Sequence, residues 1–187
     1  MVVKINYLNS PRLLLRQWRP EDQTIFARMN ADTDVMRYYP ACLTILQSNH
    51  LAQKLATLIE KRGWGLWALE LKESGEFIGF SGLHQPEADL PFNPCVEIGW
   101  RLAKEYWGKG YATEAAQVAL EFAFNNLGLS EVISFTSKQN SRSSSVMQRL
   151  SMINTQQNFQ HPGIKEGQPL REHVLYKITR QQWQDLK

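Results

Sequence analysis

The chain has 187 residues, enough for one well-buried core, and no Pro/Gly/Ser-rich linker or compositional break divides it, so a single domain spanning 1–187 is expected. Apolar residues make up 43% and aromatics 11%, with six Trp, which excludes a disordered chain. The formal charge is only +3, from basic residues that are scattered, which argues against a nucleic-acid partner, and no stretch approaches the ~20 apolar residues of a membrane span.

Leu13-Leu14-Leu15 leading into Arg16-Gln17-Trp18 reads as a short strand. Pro20-Glu21-Asp22 then opens a helix to about Asn30, with Pro near its first position and carboxylates at the positive end of its dipole. Asp32 to Leu43, holding Met36, Tyr38, Tyr39 and Pro40, is an aromatic loop that reads equally as packing or as the wall of an acceptor site. From Thr44 the residues Ile45, Leu51, Leu55, Leu58 and Ile59 fall mostly at helical spacings and stop before Gly63, predicting a second, amphipathic helix.

Trp64 to Leu71 and Phe77 to Leu83, joined by the turn Lys72-Glu73-Ser74-Gly75, predict a hairpin. Gln85 to Pro94 holds three prolines and two acids and is a loop, after which Cys95 to Leu102 returns to strand character. A long helix from Gly110 to Asn126, stopped by Gly128, carries the small-residue face Ala112, Ala115, Ala116, Ala119, Ala123 and Leu127, which lets it lie close on a sheet. Val132 to Thr136 is a strand, Ser141 to Leu150 a short helix, and Val174 to Ile178 a final strand before a helical turn from Thr179 to Trp183. The order β-α-α-β-β-β-α-β-α-β-β predicts an α/β (α+β) fold with helices on both faces of a mixed sheet. Cys42 and Cys95 lack metal-ligand spacing, so two free thiols and no metal are expected; with no signal-like run in Met1 to Ser10, a cytoplasmic protein is expected.

The segment Trp107-Gly108-Lys109-Gly110-Tyr111-Ala112-Thr113-Glu114 sits where a strand has ended and a helix begins. Two glycines two apart permit backbone angles closed to other residues and let amide N–H groups face a ligand, while the helix start adds about half a positive charge. This is machinery for a pyrophosphate, with Lys109 as an auxiliary cation. Neither the ATP-type Gly-x-x-x-x-Gly-Lys-Ser/Thr loop nor the Gly-x-Gly-x-x-Gly dinucleotide fingerprint is present. Alone, the turn reads as readily as a tight connection without a ligand.

A second element follows at Thr136-Ser137-Lys138-Gln139-Asn140-Ser141-Arg142-Ser143. With the glycine turn, the opening Arg12-Leu13-Leu14-Leu15-Arg16, the strand Glu97-Ile98-Gly99-Trp100 and the ending His173-Val174-Leu175-Tyr176 with Trp183, the chain resembles the GNAT superfamily of N-acetyltransferases. Within it, the resemblance is to the RimJ/RimL-like, ribosomal-protein N-acetyltransferase group. The family's turn is Arg/Gln-x-x-Gly-x-Gly/Ala; Gly110 and Ala112 match, while Trp107 stands in place of Arg or Gln. The family's Leu-Gly-Phe ending of the short helix is Leu150-Ser151-Met152 here.

The resemblance implies a mostly antiparallel sheet of six to seven strands with a V-shaped split between the strands at 95–102 and 132–136. Acetyl-CoA is the implied cosubstrate, held by Gly108, Lys109, Gly110, Tyr111, Ala112 and Thr113, by backbone groups of Trp100, Arg101 and Leu102, and by Asn140 and Ser143. A backbone N–H near Ile98 to Trp100 is the implied oxyanion donor. Candidates for the catalytic base are Glu97, His161 and His173. Glu97 reads equally as a solvent-facing strand residue, and the two histidines as loop or packing residues. Ser143 is a candidate proton donor to the leaving thiolate, alongside a capping role for Asn140 or Ser141. His50 and His84 read as ordinary surface or packing residues. The favoured acceptor is a protein N-terminal α-amine. A small-molecule amine (polyamine, amino acid or antibiotic) is the alternative acceptor, and a non-catalytic acyl-CoA-binding sensor is the alternative from another class. The family is often dimeric, which leaves a homodimer open.

Overall fold

The computed structural model describes residues 3–186, which divide into two compact units: residues up to Leu83 with Gly99–Ala119, and His84–Ile98 with Leu120 onward. In the first unit, β1 (Leu8–Asn9), β2 (Leu13–Arg16), β3 (Leu66–Leu71) and β4 (Phe77–His84) pair in that order, each antiparallel to the last, and β5 (Glu97–Leu102) follows β4. Gly79 lies at φ +140, and a Cβ there would meet the Arg101 carbonyl oxygen at 2.2 Å. Only glycine lets β4 approach β5 this closely.

Helices α1 (Asp22–Ala31) and α2 (Ile45–Arg62) pack together in this unit. The cap of α1 is Glu21, so Pro20 lies just outside the helix rather than at its first position. The reason is Asp22, whose carboxylate accepts from the Arg19 amide and from both Nη atoms of Arg16, and so fixes where the turn closes. Thr44 and Gln47 form a reciprocal capping box for α2, and Gly63 closes its other end in the left-handed region. Phe26 of α1 packs edge-on against Trp18 at 4.8 Å and Phe80 at 6.0 Å.

In the second unit β6 (Glu131–Ser137) pairs antiparallel with β9 (Glu172–Thr179) over seven residues, from Glu131 opposite Thr179 to Ser137 opposite His173. Two short strands, β7 (Ile153–Asn154) and β8 (Phe159–Gln160), also pair with β9. β6 runs parallel to β5 with one registered pair, Glu97 with Ile133, and from Gly99 onward β5 belongs to the first unit. Among the described residues there are nine strands against the expected six to seven; six have four or more residues, and the other three are two-residue strands, too short for an alternating pattern to register.

The remaining helices are α3 (Tyr111–Asn125), α4 (Ser141–Arg149) and α5 (Arg180–Asp185). Ala115, Ala116, Ala119 and Ala123 of α3 are fully buried, as the small-residue face requires. After α4, Ser151 occupies the left-handed region at φ 58, where the family's pattern has glycine. Among the described residues no helix is long and apolar enough to cross a membrane.

Candidate active site

In the first unit, β5 ends at Leu102, a 3-10 turn spans Lys104–Tyr106, and α3 begins at Tyr111. Gly108 and Gly110 both have positive φ, +73 and +82. A Cβ at Gly108 would meet nothing within 4 Å, and one at Gly110 only Arg12 Nη2 at 3.4 Å. The space beside both glycines is therefore open. The Gly110 carbonyl accepts from Glu114 N–H at 3.0 Å, so the amides of Tyr111 and Ala112 precede the first bond of the helix. Backbone donors, a helix start and open space together suit the diphosphate of a coenzyme.

Trp107, where the family's pattern has Arg or Gln, turns its indole N–H back onto the Leu102 carbonyl at 2.9 Å and closes off the end of β5. Arg12 also borders the cradle, its Nη2 3.4 Å from where a Cβ at Gly110 would sit. Its backbone N–H and Nε both donate to Glu114, and its guanidinium lies 4.4 Å over the Tyr111 ring. Ser10 Oγ donates to the same carboxylate at 2.7 Å. Burial works against ionisation of Glu114, but these donors hold its carboxyl below the ordinary value. Composition and spacing give no sign of this pairing, because the partners are 102 positions apart; only the presence of both in the family's pattern hints at it. Lys109 is exposed, with Nζ 5.5 Å from the centre of the Tyr106 ring.

The peptide groups of β5 alternate in direction. The Arg101 carbonyl faces β4 at Gly79, and the Ala103 N–H donates to Ile78. Alternation turns the main chain of Trp100 and Leu102 to the strand's other edge, so Arg101 has its side chain, not its backbone, to offer a ligand.

In the second unit, strand register brings the candidate bases onto one sheet face. Glu97 is level with Ile133, two-residue periodicity carries that face to Phe135 and Ser137, and Ser137 is opposite His173, which is opposite Phe159. His161, whose N–H donates to the Arg171 carbonyl, extends β8 on the same side. The imidazoles of His161 and His173 lie 4.9 Å apart, flanked by Phe135 and Phe159. Leu90 and Phe92, from the proline-rich loop, pack on this aromatic cluster.

Burial pushes the Glu97 carboxyl up from 4.5 to about 8, and among the described residues no ion pair offsets it. The neighbouring Cys95 thiol is pushed up to about 11, by burial first and then by the charges of Glu97 and Glu131, which makes it inert. Both histidines are held below their ordinary value by burial. His173 Nδ1 lies 3.1 Å from the Arg171 carbonyl, which can only accept, so Nδ1 carries the proton and Nε2 the lone pair. His161 is the opposite tautomer when neutral, since its Nδ1 accepts from Gly163 N–H. Asn140 caps α4 by accepting the Ser143 N–H at 3.2 Å, while its Nδ2 donates to Thr136 Oγ1 at 3.0 Å. Thr136 projects from the sheet face opposite Glu97, so Asn140 and Ser143 are not gathered with the three candidate bases.

An acetyltransferase (GNAT) domain is matched over residues 12–153. The chain belongs to the GNAT acetyltransferase family. This GNAT chain is 30% identical over 175 residues to the uncharacterized N-acetyltransferase YoaA of Bacillus subtilis, covering 92% of this chain and 90% of that one. The crystal structure of a GNAT-family acetyltransferase from Bacillus anthracis superposes with a TM-score of 0.79 at 25% identity, over 94% of this chain and 99% of that one. A spermidine N-acetyltransferase from Vibrio cholerae, solved with CoA and spermine, shares the fold with a TM-score of 0.71 at 16% identity, over 92% and 98%. This GNAT protein is accordingly an acetyl-CoA-dependent acyltransferase acting on an amine.

Proposed function

We propose that this enzyme acetylates a primary amine by direct attack on the thioester of acetyl-CoA, with a protein N-terminal α-amine as the favoured acceptor and Glu97 as the base. The observation that carries the cofactor assignment is the open space beside Gly108 and Gly110 at the start of α3. In this reading the amides from Gly108 to Thr113 hold the diphosphate, and the main chain of Trp100 with the N–H of Leu102, whose carbonyl Trp107 occupies, receives the pantetheine arm as an added strand. The amine nitrogen bonds to the thioester carbon, the C–S bond breaks, and the amine's proton passes to a carboxylate. A backbone N–H near Ile98 to Trp100 supports the oxyanion. Asn140 and Ser143 keep the cofactor contact that the family resemblance assigns them; since they are not gathered with Glu97, the leaving thiolate takes its proton from solvent.

Matching of pKa values supports the α-amine. A protein α-amine near 8 costs about 1.4 kcal/mol to neutralise at pH 7, a lysine-like amine near 10.4 about 4.6 kcal/mol. A Glu97 carboxyl at about 8 exchanges a proton with the first at almost no cost, and with the second only uphill. A polycationic acceptor fits less well, because a carboxyl with that value is mostly uncharged at pH 7.

Gly110→Glu tests the cofactor assignment. A carboxylate placed against the diphosphate should abolish acetyl-CoA binding in calorimetry and CoA release with N-terminal peptides, while circular dichroism stays unchanged. Wild-type affinity in this variant would refute the cradle.

A further inference from the structure

Two arginines are drawn into the first unit, and the contrast between them is informative. Arg16, 2% exposed, is neutralised twice: Nη1 and Nη2 bind Asp22 at 2.8 Å each, and Nε binds Glu70 at 2.6 Å. That is how a structural guanidinium is stabilised away from water. Arg101 is half-buried and has no carboxylate partner among the described residues. Its Nη1 donates to the neutral Asn30 Oδ1 at 2.7 Å, and its Nε is buried without an acceptor. The guanidinium lies 4.0 Å from the Tyr39 ring centre and 5.3 Å from that of Phe80.

The surroundings fix the group rather than neutralise it. Asn30 is fully buried and oriented by its own bond to Ser48 Oγ at 2.8 Å. Asp34, from the same loop as Tyr39, is committed to Arg37 and Lys104. Aromatic faces hold a guanidinium's plane while leaving its edge free to donate, and a charge taken out of water without a counter-ion is costly unless a ligand supplies one. Tyr39, 38% exposed, keeps this place at the surface.

We infer that the side chain of Arg101, held between Tyr39 and Phe80 and steadied by Asn30, reads a carboxylate on the acceptor, so that the preferred substrates are primary amines bearing a carboxylate. The inference rests on the acetyltransferase reading and narrows its acceptor class. The carboxylate belongs either to a free amino acid or to an acidic residue next to a peptide's N-terminus.

CoA release measured with matched pairs separates these sources: leucine against leucinamide, and Ala-Asp-Ala-amide against Ala-Asn-Ala-amide. In at least one pair the carboxylate member should have a kcat/KM higher by at least about tenfold, the advantage of a charge-assisted hydrogen bond. The pair that responds identifies the source. Arg101→Gln should erase the preference by raising KM for the carboxylate member far more than for the neutral member, and Arg101→Lys should restore part of it. Equal kcat/KM within both pairs, no turnover of any of the four by an enzyme that binds acetyl-CoA, or an equal loss on both members in Arg101→Gln would each overturn the inference and leave the acetyltransferase reading standing. Failure of the wild type to bind acetyl-CoA in calorimetry would remove both.

Discussion

Glu97 combines a carboxyl held neutral by burial with a place on the sheet face that carries His161 and His173. If it is the base, kcat/KM should climb with pH to a plateau above about 8, and Glu97→Gln should lose about a hundredfold or more in turnover and keep only the part of that limb that the acceptor amine's own titration supplies. A limb below the ordinary histidine value of 6.5, unaffected by Glu97→Gln, would instead move the base to His161 or His173, both depressed by burial. Stability carries a second signature. The folded carboxyl keeps its proton to about 8, whereas the unfolded chain loses it near 4.5, so the folded state binds more protons in between and stability falls as pH rises across that window. The difference in melting temperature between Glu97→Gln and wild type should therefore shift in favour of glutamine from pH 5 to pH 8; a constant difference would mean the carboxyl is solvated. Ser151 stores a smaller cost. Its left-handed backbone at φ 58 is disfavoured for any residue with a Cβ, and Ser151→Gly should gain about 0.5–1 kcal/mol in denaturant unfolding.

At the scale of elements, ionic and polar connections set how the first unit is assembled. Arg16 on β2 joins Asp22 on α1 to Glu70 on β3, with its own side chain and that of Asp22 only 3% exposed. Replacing it by leucine strips the buried Asp22 of its ion-pair partner and leaves Glu70 only Arg19, and Arg16→Leu should destabilise the fold by about 3–5 kcal/mol, visible as a lower denaturation midpoint with an unchanged slope. A loss below 1 kcal/mol would mean that solvent reaches the pair. Arg12, just before β2, and Glu114 link that end of the strand to the first turn of α3. This link holds the helix start beside Gly110 in the absence of the family's Arg or Gln.

For the whole molecule, the donor substrate should act as a ligand of the folded state alone. Acetyl-CoA at a hundred times its dissociation constant adds about 2.7 kcal/mol, a rise in melting temperature of roughly 5–10 °C for a chain of this size. Gly110→Glu should show no such rise; a rise equal to that of the wild type would point to a diphosphate site elsewhere.

Local pattern was enough to locate α2, α3, the β3–β4 hairpin and the glycine turn, because helix caps, periodicity and turn chemistry act over a few residues. The same holds for the family, whose marks at Gly110, Ala112, Asn140 and Ser143 are short motifs. What tertiary structure decided is everything that depends on register between distant segments. The meeting of His161 with His173, and the shared face with Glu97, follow from how β6, β8 and β9 pair, and a slip of one residue would turn each side chain to the other face. Two-residue strands such as β7 and β8 exist only because β9 supplies their hydrogen bonds. Arg16 and Arg101 are the same residue type on β-strands; which one is neutralised and which lacks a counter-ion depends on partners brought from other parts of the chain, and electrostatic energy depends on distance in space, not along the sequence.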